Sequence, residues 1–122
     1  MARVRVYVAG PINGTGPTRN REAFDVVGNL VRDQLGAEPV IPHDVPPHEH
    51  GGPCPGWIRA EGETHNQGCH LRTDLRELLT CDGIALVHGW VNSHGARLEL
   101  HVATAVGMRV WFQRVDGSLW AT

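Results

Sequence analysis

The sequence is short of several things, and each shortage removes a class of function. It has no block of basic residues: 11 Lys and Arg stand against 13 Asp and Glu in 122 residues, for a net charge of −2 with His neutral. A nucleic-acid polymer is gripped by a basic stripe that displaces counterions, so no polymer partner is expected. A nucleotide monomer stays open, because helix amides and one or two side chains suffice for a single phosphate. The three Cys, at positions 54, 69 and 81, are odd in number and unevenly spaced, which is no disulfide framework. No apolar run approaches the roughly 20 residues that span a bilayer. No signal peptide precedes the first apolar run, since Met1-Ala2-Arg3 leads directly into Val4 to Val8. These absences predict a soluble, cytoplasmic protein with no membrane partner. There is neither a GxGxxG fingerprint nor the GKT or GKS of a P-loop, and there are no repeats and no internal linker.

What is present fits one domain over residues 1–122, at 41% hydrophobic and 20% charged. Such a length buries about two-thirds of the unfolded surface. Val4 to Ala9 reads as a strand ending at Gly10-Pro11, and Ile12 to Thr18 as a Gly-rich loop that lets backbone approach a ligand. A helix follows, with Thr18 as its cap, Glu22 near its first turn, and Phe24, Val27, Leu30, Val31 and Leu35 at helical spacing up to Gly36. Glu38 to Ile41 is a second strand, parallel to the first as in a βαβ unit. From His43 to about Gly68 the texture turns irregular, rich in Pro, Gly and His, as in a long binding loop. His43 stands out there because it comes just after the strand. His48, His50, Cys54, His65 and Cys69 invite a metal, yet their spacings match no CxxC or HxxxH site, so no metal is expected.

The stretch from Asp74 to Met108 organises the rest. Leu71 to Leu79 reads as a helix with an apolar Leu face, and Asp74 lies near its inward side. Gly83 to Val87 is a strand apolar throughout, hence covered on both faces. His88 to Asn92 is a turn, and Ser93 caps a helix that runs to Val106 and stops at Gly107. Arg109 to Phe112 is a fourth strand, and Leu119-Trp120 a last short one after a turn at Val115 to Ser118. The alternation predicts a doubly wound, Rossmann- or flavodoxin-like α/β sheet, mostly parallel, of four to five strands with helices on both faces. Ligands of such sheets lie beyond the carboxyl ends of the strands, where the loops after Gly10, His43 and His88 meet.

Taken singly, each residue of interest has an ordinary explanation. Glu99 can be a solvated helix residue, Asp74 a surface or salt-bridged carboxylate, Asp82 a structural residue, Tyr7 a core aromatic and Ser93 a plain cap. A carboxylate aimed at the strand ends can equally serve as a nucleophile or base, and a helix cap is also where phosphate binds.

Taken together they resemble a family. Tyr7-Val8-Ala9-Gly10-Pro11-Ile12, then Asp74, then Cys81-Asp82-Gly83-Ile84, then Gly89-Trp90-x-x-Ser93-x-Gly95-Ala96-x-x-Glu99 are similar, in order, to the nucleoside 2-deoxyribosyltransferase superfamily. Its small members include the nucleoside 5′-monophosphate N-glycosidases. The resemblance covers nearly the whole chain except the His/Pro/Gly loop. It implies that Glu99 attacks the anomeric carbon and forms a glycosyl-enzyme, that Asp74 holds or protonates the departing base, and that Tyr7 orients the nucleophile. It implies that Ser93, Gly95 and the Gly10 to Ile12 turn receive the 5′ end of a nucleoside or nucleotide, beside Asn13, which stands where the nucleotide hydrolases carry Arg. His43 would contact ligand. Trp90 would help shape the base pocket, and Asp82 joins the substrate-binding set through its motif. A Ser near the C-terminus, here Ser118, would complete the site of a neighbouring copy in a homo-oligomer. Cleavage through an oxocarbenium-like state needs two such carboxyl groups and neither metal nor organic cofactor. Water as acceptor gives a hydrolase, and a second base gives a transferase; a chain that keeps the fold without turnover is the alternative, a nucleotide-binding or sensing module.

Overall fold

The computed structural model describes residues 3–12, 20–45 and 67–122, with the backbone alone at 67 and 68. In chain order these form β1 (Arg5–Ala9), α1 (Arg21–Leu35), β2 (Glu38–Val40), α2 (Gln67–Leu78), β3 (Gly83–Leu86), α3 (His94–Ala105), β4 (Arg109–Gln113) and β5 (Leu119–Ala121). One five-stranded sheet has the order β2-β1-β3-β4-β5. Every pairing is parallel except β4 with β5. This is the flavodoxin-like arrangement expected from the alternating pattern.

Side chains alternate across β1, as the twofold repeat of a strand requires. Val6 and Val8 face α1 and pack with Phe24, Val27, Val31, Ala85 and Val87. Tyr7 and Ala9 face the opposite way, into a second layer with Leu78, Ile84, Leu86, Ala96 and Ala103. Helix α1 therefore covers one face, and α2 and α3 the other. β3 is buried at all four positions, as its unbroken apolar run predicts. Burying each of these large apolar side chains contributes about 1.5–3 kcal/mol.

The order reverses between β1 and β3: the chain leaves β1 toward β2 and leaves β3 toward β4. That reversal opens a crevice at the carboxyl ends of the two strands. Among the described residues, no helix is long and apolar enough to cross a membrane.

Several expected boundaries move. α2 begins at Gln67 rather than Leu71, because the sequence Gln67-Gly68-Cys69-His70 carries no apolar stripe to announce its first turn. The cap of α1 is also different. Thr18 lies outside the described residues, and the N-cap position belongs to Asn20, in the left-handed conformation at φ 43°. The Asn20 side chain does not cap the helix; its Nδ2 donates to the Pro11 carbonyl at 2.6 Å. At the other end Gly36, at φ 62°, donates its N–H to the Arg32 carbonyl and stops the helix as anticipated.

Candidate active site

The crevice is built from three strand exits. At the first, Gly10 leaves no room for a side chain, since a Cβ there would lie 2.7 Å from Val87 Cβ and 3.5 Å from Phe24 Cζ. The exits of β1 and β3 are pressed together at that point, and the Val87 N–H donates to the Ala9 carbonyl at 2.8 Å. The β3 exit then bends through Gly89, at φ 94°, into a single 3-10 turn over Trp90–Asn92. Gln113, at the end of β4, accepts from the His88 N–H at 2.9 Å and fixes this bend from the side. Ser93 caps α3 as expected, its Oγ accepting from the Ala96 N–H at 3.1 Å.

That cap sets the rotation of α3. Ala96, Glu99 and Ala103 are its buried positions, spaced so that all three face the sheet. Two are small and apolar, and the third is a carboxylic acid only 5% exposed. Glu99 meets Tyr7, whose side chain is wholly buried and whose hydroxyl donates to Glu99 Oε2 at 2.5 Å. Asp74, on the adjoining α2, is close enough for its negative charge to act on both groups.

The electrostatics follow from this packing. Burial, the largest effect, pushes the Glu99 carboxyl up to about 8; the Tyr7 hydrogen bond pulls it down, and the Asp74 charge pushes it up again. Burial also raises the Tyr7 hydroxyl well above its ordinary value, with the charges of Glu99 and Asp74 acting the same way. Near neutral pH, Glu99 is thus held mainly as the neutral acid, poised to ionise when a cationic or polar group enters. Such a group can act as nucleophile or base once ionised and as hydrogen-bond donor before that.

The structure brings Tyr7, Asp74 and Glu99 into one cluster on the α2/α3 face, with Gly10, Trp90, Ser93 and Gly95 at the exits above it. Trp90 is half-buried and tilts against Phe112 with 5.6 Å between ring centroids. At Gly95 the nearest atom to a built Cβ would be Leu71 Cδ1 at 4.0 Å, so the helix start there is open. Ile12, leaving β1, is exposed. His43 occupies the β2 exit, inside the 3-10 turn Pro42–Asp44, with its ring edge-on to Phe24 at 4.7 Å.

One expected member, Asp82, is not in that cluster. Asp82 sits at the opposite end of the sheet, before β3, where its Oδ2 accepts from the Arg5 N–H at 2.9 Å. Its carboxylate ties the start of β1 to the start of β3, a structural task, because residues preceding a parallel strand emerge at the amino end and not at the carboxyl rim. Ser118 lies in the β4–β5 turn, where its hydroxyl donates to Asp116 Oδ1 at 2.7 Å and its N–H to the same oxygen at 2.9 Å. Asn13 and the His/Pro/Gly-rich stretch from residue 46 lie outside the described residues. Among the described residues, no three His, Cys, Asp or Glu gather as a metal site.

Sequence reading missed Asn20, Arg21 and Gln113, which hold the exits in place. None of the three carries a local signal; Gln113 falls beside the β3 exit through the register that sets Leu86 beside Phe112, which the structure supplies.

No curated protein matches the chain. A family model described as "Domain of unknown function (DUF4406)" matches residues 4–112. The match runs from the start of β1 into the end of β4, through all three helices and every residue of the Tyr7–Asp74–Glu99 cluster. The chain belongs to the DUF4406 family.

Proposed function

We propose that this protein cleaves the N-glycosidic bond of a (deoxy)nucleoside or its 5′-monophosphate. The observation that carries the reading is the buried Tyr7–Glu99 hydrogen bond at 2.5 Å, set below the β1/β3 crevice with the Asp74 charge alongside. Two carboxyl groups and an orienting hydroxyl, in an apolar layer beneath a helix start, suit attack on an anomeric carbon. The resemblance of the same residues to the nucleoside 2-deoxyribosyltransferase superfamily supports the same assignment.

In the first step the ionised Glu99 attacks the anomeric carbon from one face of the sugar. The electrons of the breaking C–N bond leave with the base, which Asp74 holds while it takes a proton from solvent water. In the second step water attacks the anomeric carbon, the ester to Glu99 breaks, and the proton lost by water passes through Asp74 to solvent. Tyr7 holds Glu99 Oε2 and leaves the other oxygen to react. The start of α3, with Ser93 and Gly95, receives the 5′ end, and an anionic group is favoured there by the helix dipole. A small-molecule substrate, no cofactor, and a homo-oligomer in the cytoplasm complete the reading.

Incubation with a panel of nucleosides and nucleoside monophosphates, followed by chromatography of free base, tests it. Free base is expected from at least one substrate, and a folded protein that releases none from any sinks the assignment. Glu99→Ala retaining full activity would leave cleavage standing but remove the glycosyl-enzyme. Adding a second free base separates hydrolysis from transfer, since a new nucleoside forms only in the latter case.

A further inference from the structure

The start of α1 is bonded to two of the three strand exits, those of β1 and β2. Asn20 Nδ2 donates to the Pro11 carbonyl at 2.6 Å, directly after Gly10. Asn20 holds a left-handed backbone, φ 43° and ψ 33°, which is costly for a residue other than glycine and is accepted more readily by Asn than by most. The next residue, Arg21, grips the β2 exit with a two-pronged ion pair, one terminal nitrogen 2.5 Å from Asp44 Oδ1 and the other 2.9 Å from Oδ2. Its Nε also lies 3.3 Å from Asp25 Oδ1, so the guanidinium is fixed from its own helix as well. Asp44 closes the 3-10 turn that carries His43. One turn further on, the wholly buried Phe24 meets the His43 ring at 4.7 Å and stands 3.5 Å from where a Gly10 Cβ would be. Gly10 in turn is pressed against Val87 at the β3 exit.

We infer that Asn20 and Arg21 are positioning residues: together they lock the Gly10–Pro11 turn and the His43 turn at a fixed spacing, and so set how tightly the crevice holds its ligand. Both belong to α1 and its cap on one face of the sheet, whereas Tyr7 lies in the layer on the other face, bonded to Glu99 of α3, so the chemistry of bond cleavage is left to that cluster. Geometry explains why these residue types are used. A guanidinium fork matches a carboxylate at two points and fixes direction as well as distance, which an ammonium does not. Asn supplies both a left-handed backbone and an amide that can reach the carbonyl of the departing strand.

The inference rests on the nucleotide reading only for the identity of the ligand, and the test separates the two. Asn20→Gly keeps the left-handed backbone without strain and removes only the amide; Arg21→Gln removes the fork. The first readout needs no substrate. The His43 imidazole signal, identified by its loss in His43→Gln, is followed by proton NMR, where the edge contact with Phe24 displaces it. In Arg21→Gln the signal is expected to move toward that of a free histidine, and in Arg21→Asp combined with Asp44→Arg to return. The second readout is the split between KM and kcat for whichever nucleotide releases base. Arg21→Gln and Asn20→Gly are each expected to raise KM roughly fivefold with kcat within about twofold, as expected for loss of one or two charge-assisted or partly exposed contacts. An unmoved His43 signal, or kcat falling while KM holds, overturns the inference. A wild-type protein that cleaves nothing, with the His43 signal still moving and returning as described, overturns the nucleotide reading and leaves the lock standing.

Discussion

A glutamic acid 5% exposed, hydrogen-bonded to a wholly buried tyrosine, ties stability to pH in a definite direction. The Glu99 carboxyl is raised to about 8 in the folded chain, above the ordinary value of 4.5 that it regains on unfolding. The neutral acid therefore stabilises the fold fully below about pH 4.5, and that stability is lost as pH rises through about 8. Melting of the wild type at a series of pH values is expected to show a fall in Tm between pH 5 and 9. Glu99→Gln, which cannot ionise, should flatten that slope and melt higher than the wild type at pH 9. Activity runs the other way, because only the ionised form attacks: kcat/KM should climb about tenfold per pH unit on the acid side of about 8. Tyr7→Phe keeps the ring in its layer and removes the one bond that favours the Glu99 carboxylate. Its rising limb should move to higher pH, with a stability loss of about 1 kcal/mol at pH 6 for the missing buried bond. A limb that stays in place would show that Tyr7 does not act on the ionisation of Glu99. The resemblance pairs these two residues, but local sequence rules do not give their burial or the shift that follows from it. Tyr7 in an apolar strand and Glu99 in an amphipathic helix each satisfy local rules, and only the rotation of α3 against β1 makes them neighbours.

At the scale of elements, much of the architecture was legible because local chemistry and tertiary packing agree. The Ser93 cap, the Gly36 stop and the apolar run of β3 each lie within a residue or so of where sequence rules put them. Disagreement arose where a contact distant in sequence decides. Asn20 leaves its capping role to reach Pro11, and α2 starts before its apolar face does. Asp82 joins the substrate-binding set through its motif, but it precedes β3, and the two ends of a strand lie at opposite ends of the sheet. The β1 and β3 exits offer a direct check on packing. Gly10→Ala would set a methyl 2.7 Å from Val87 Cβ, an atom fixed to its backbone, with Val87 Cγ2 at 3.0 Å and Phe24 Cζ at 3.5 Å. Overpacking of this kind costs about 1–3 kcal/mol, which should appear as a lower midpoint in urea with an unchanged slope. An unaltered midpoint would show that the two exits are looser than their spacing implies.

For the whole molecule, the order of strands followed from the pattern of the chain only as a class; the sequence does not say that β4 pairs antiparallel with β5, or what covers each rim. The borders of the sheet are where this matters. On one side is β2, whose Glu38 N–H points inward to the Val4 carbonyl at 2.8 Å, so that alternate Pro39 faces outward with no N–H to offer. On the other side is β5, where Leu119 faces outward. There the Gln34 amide does what another strand would do: its Nε2 donates to the Leu119 carbonyl at 3.1 Å, and its Oε1 accepts from the Leu119 N–H at 3.0 Å. Gln34 behaves as a strand one residue long, borrowed from a helix. Gln34→Ala should cost about 1–2 kcal/mol for the two exposed backbone groups. It should also increase light scattering on mild heating, because a bare border is a template for another chain; scattering equal to wild type would count against that role. Among the described residues, Pro39 on one border and Gln34 on the other thus each remove backbone groups that a second copy would need to continue the sheet. Sheet extension is thereby disfavoured as a mode of assembly, which leaves to it the helix faces and the rims, the surfaces through which a ligand has to enter.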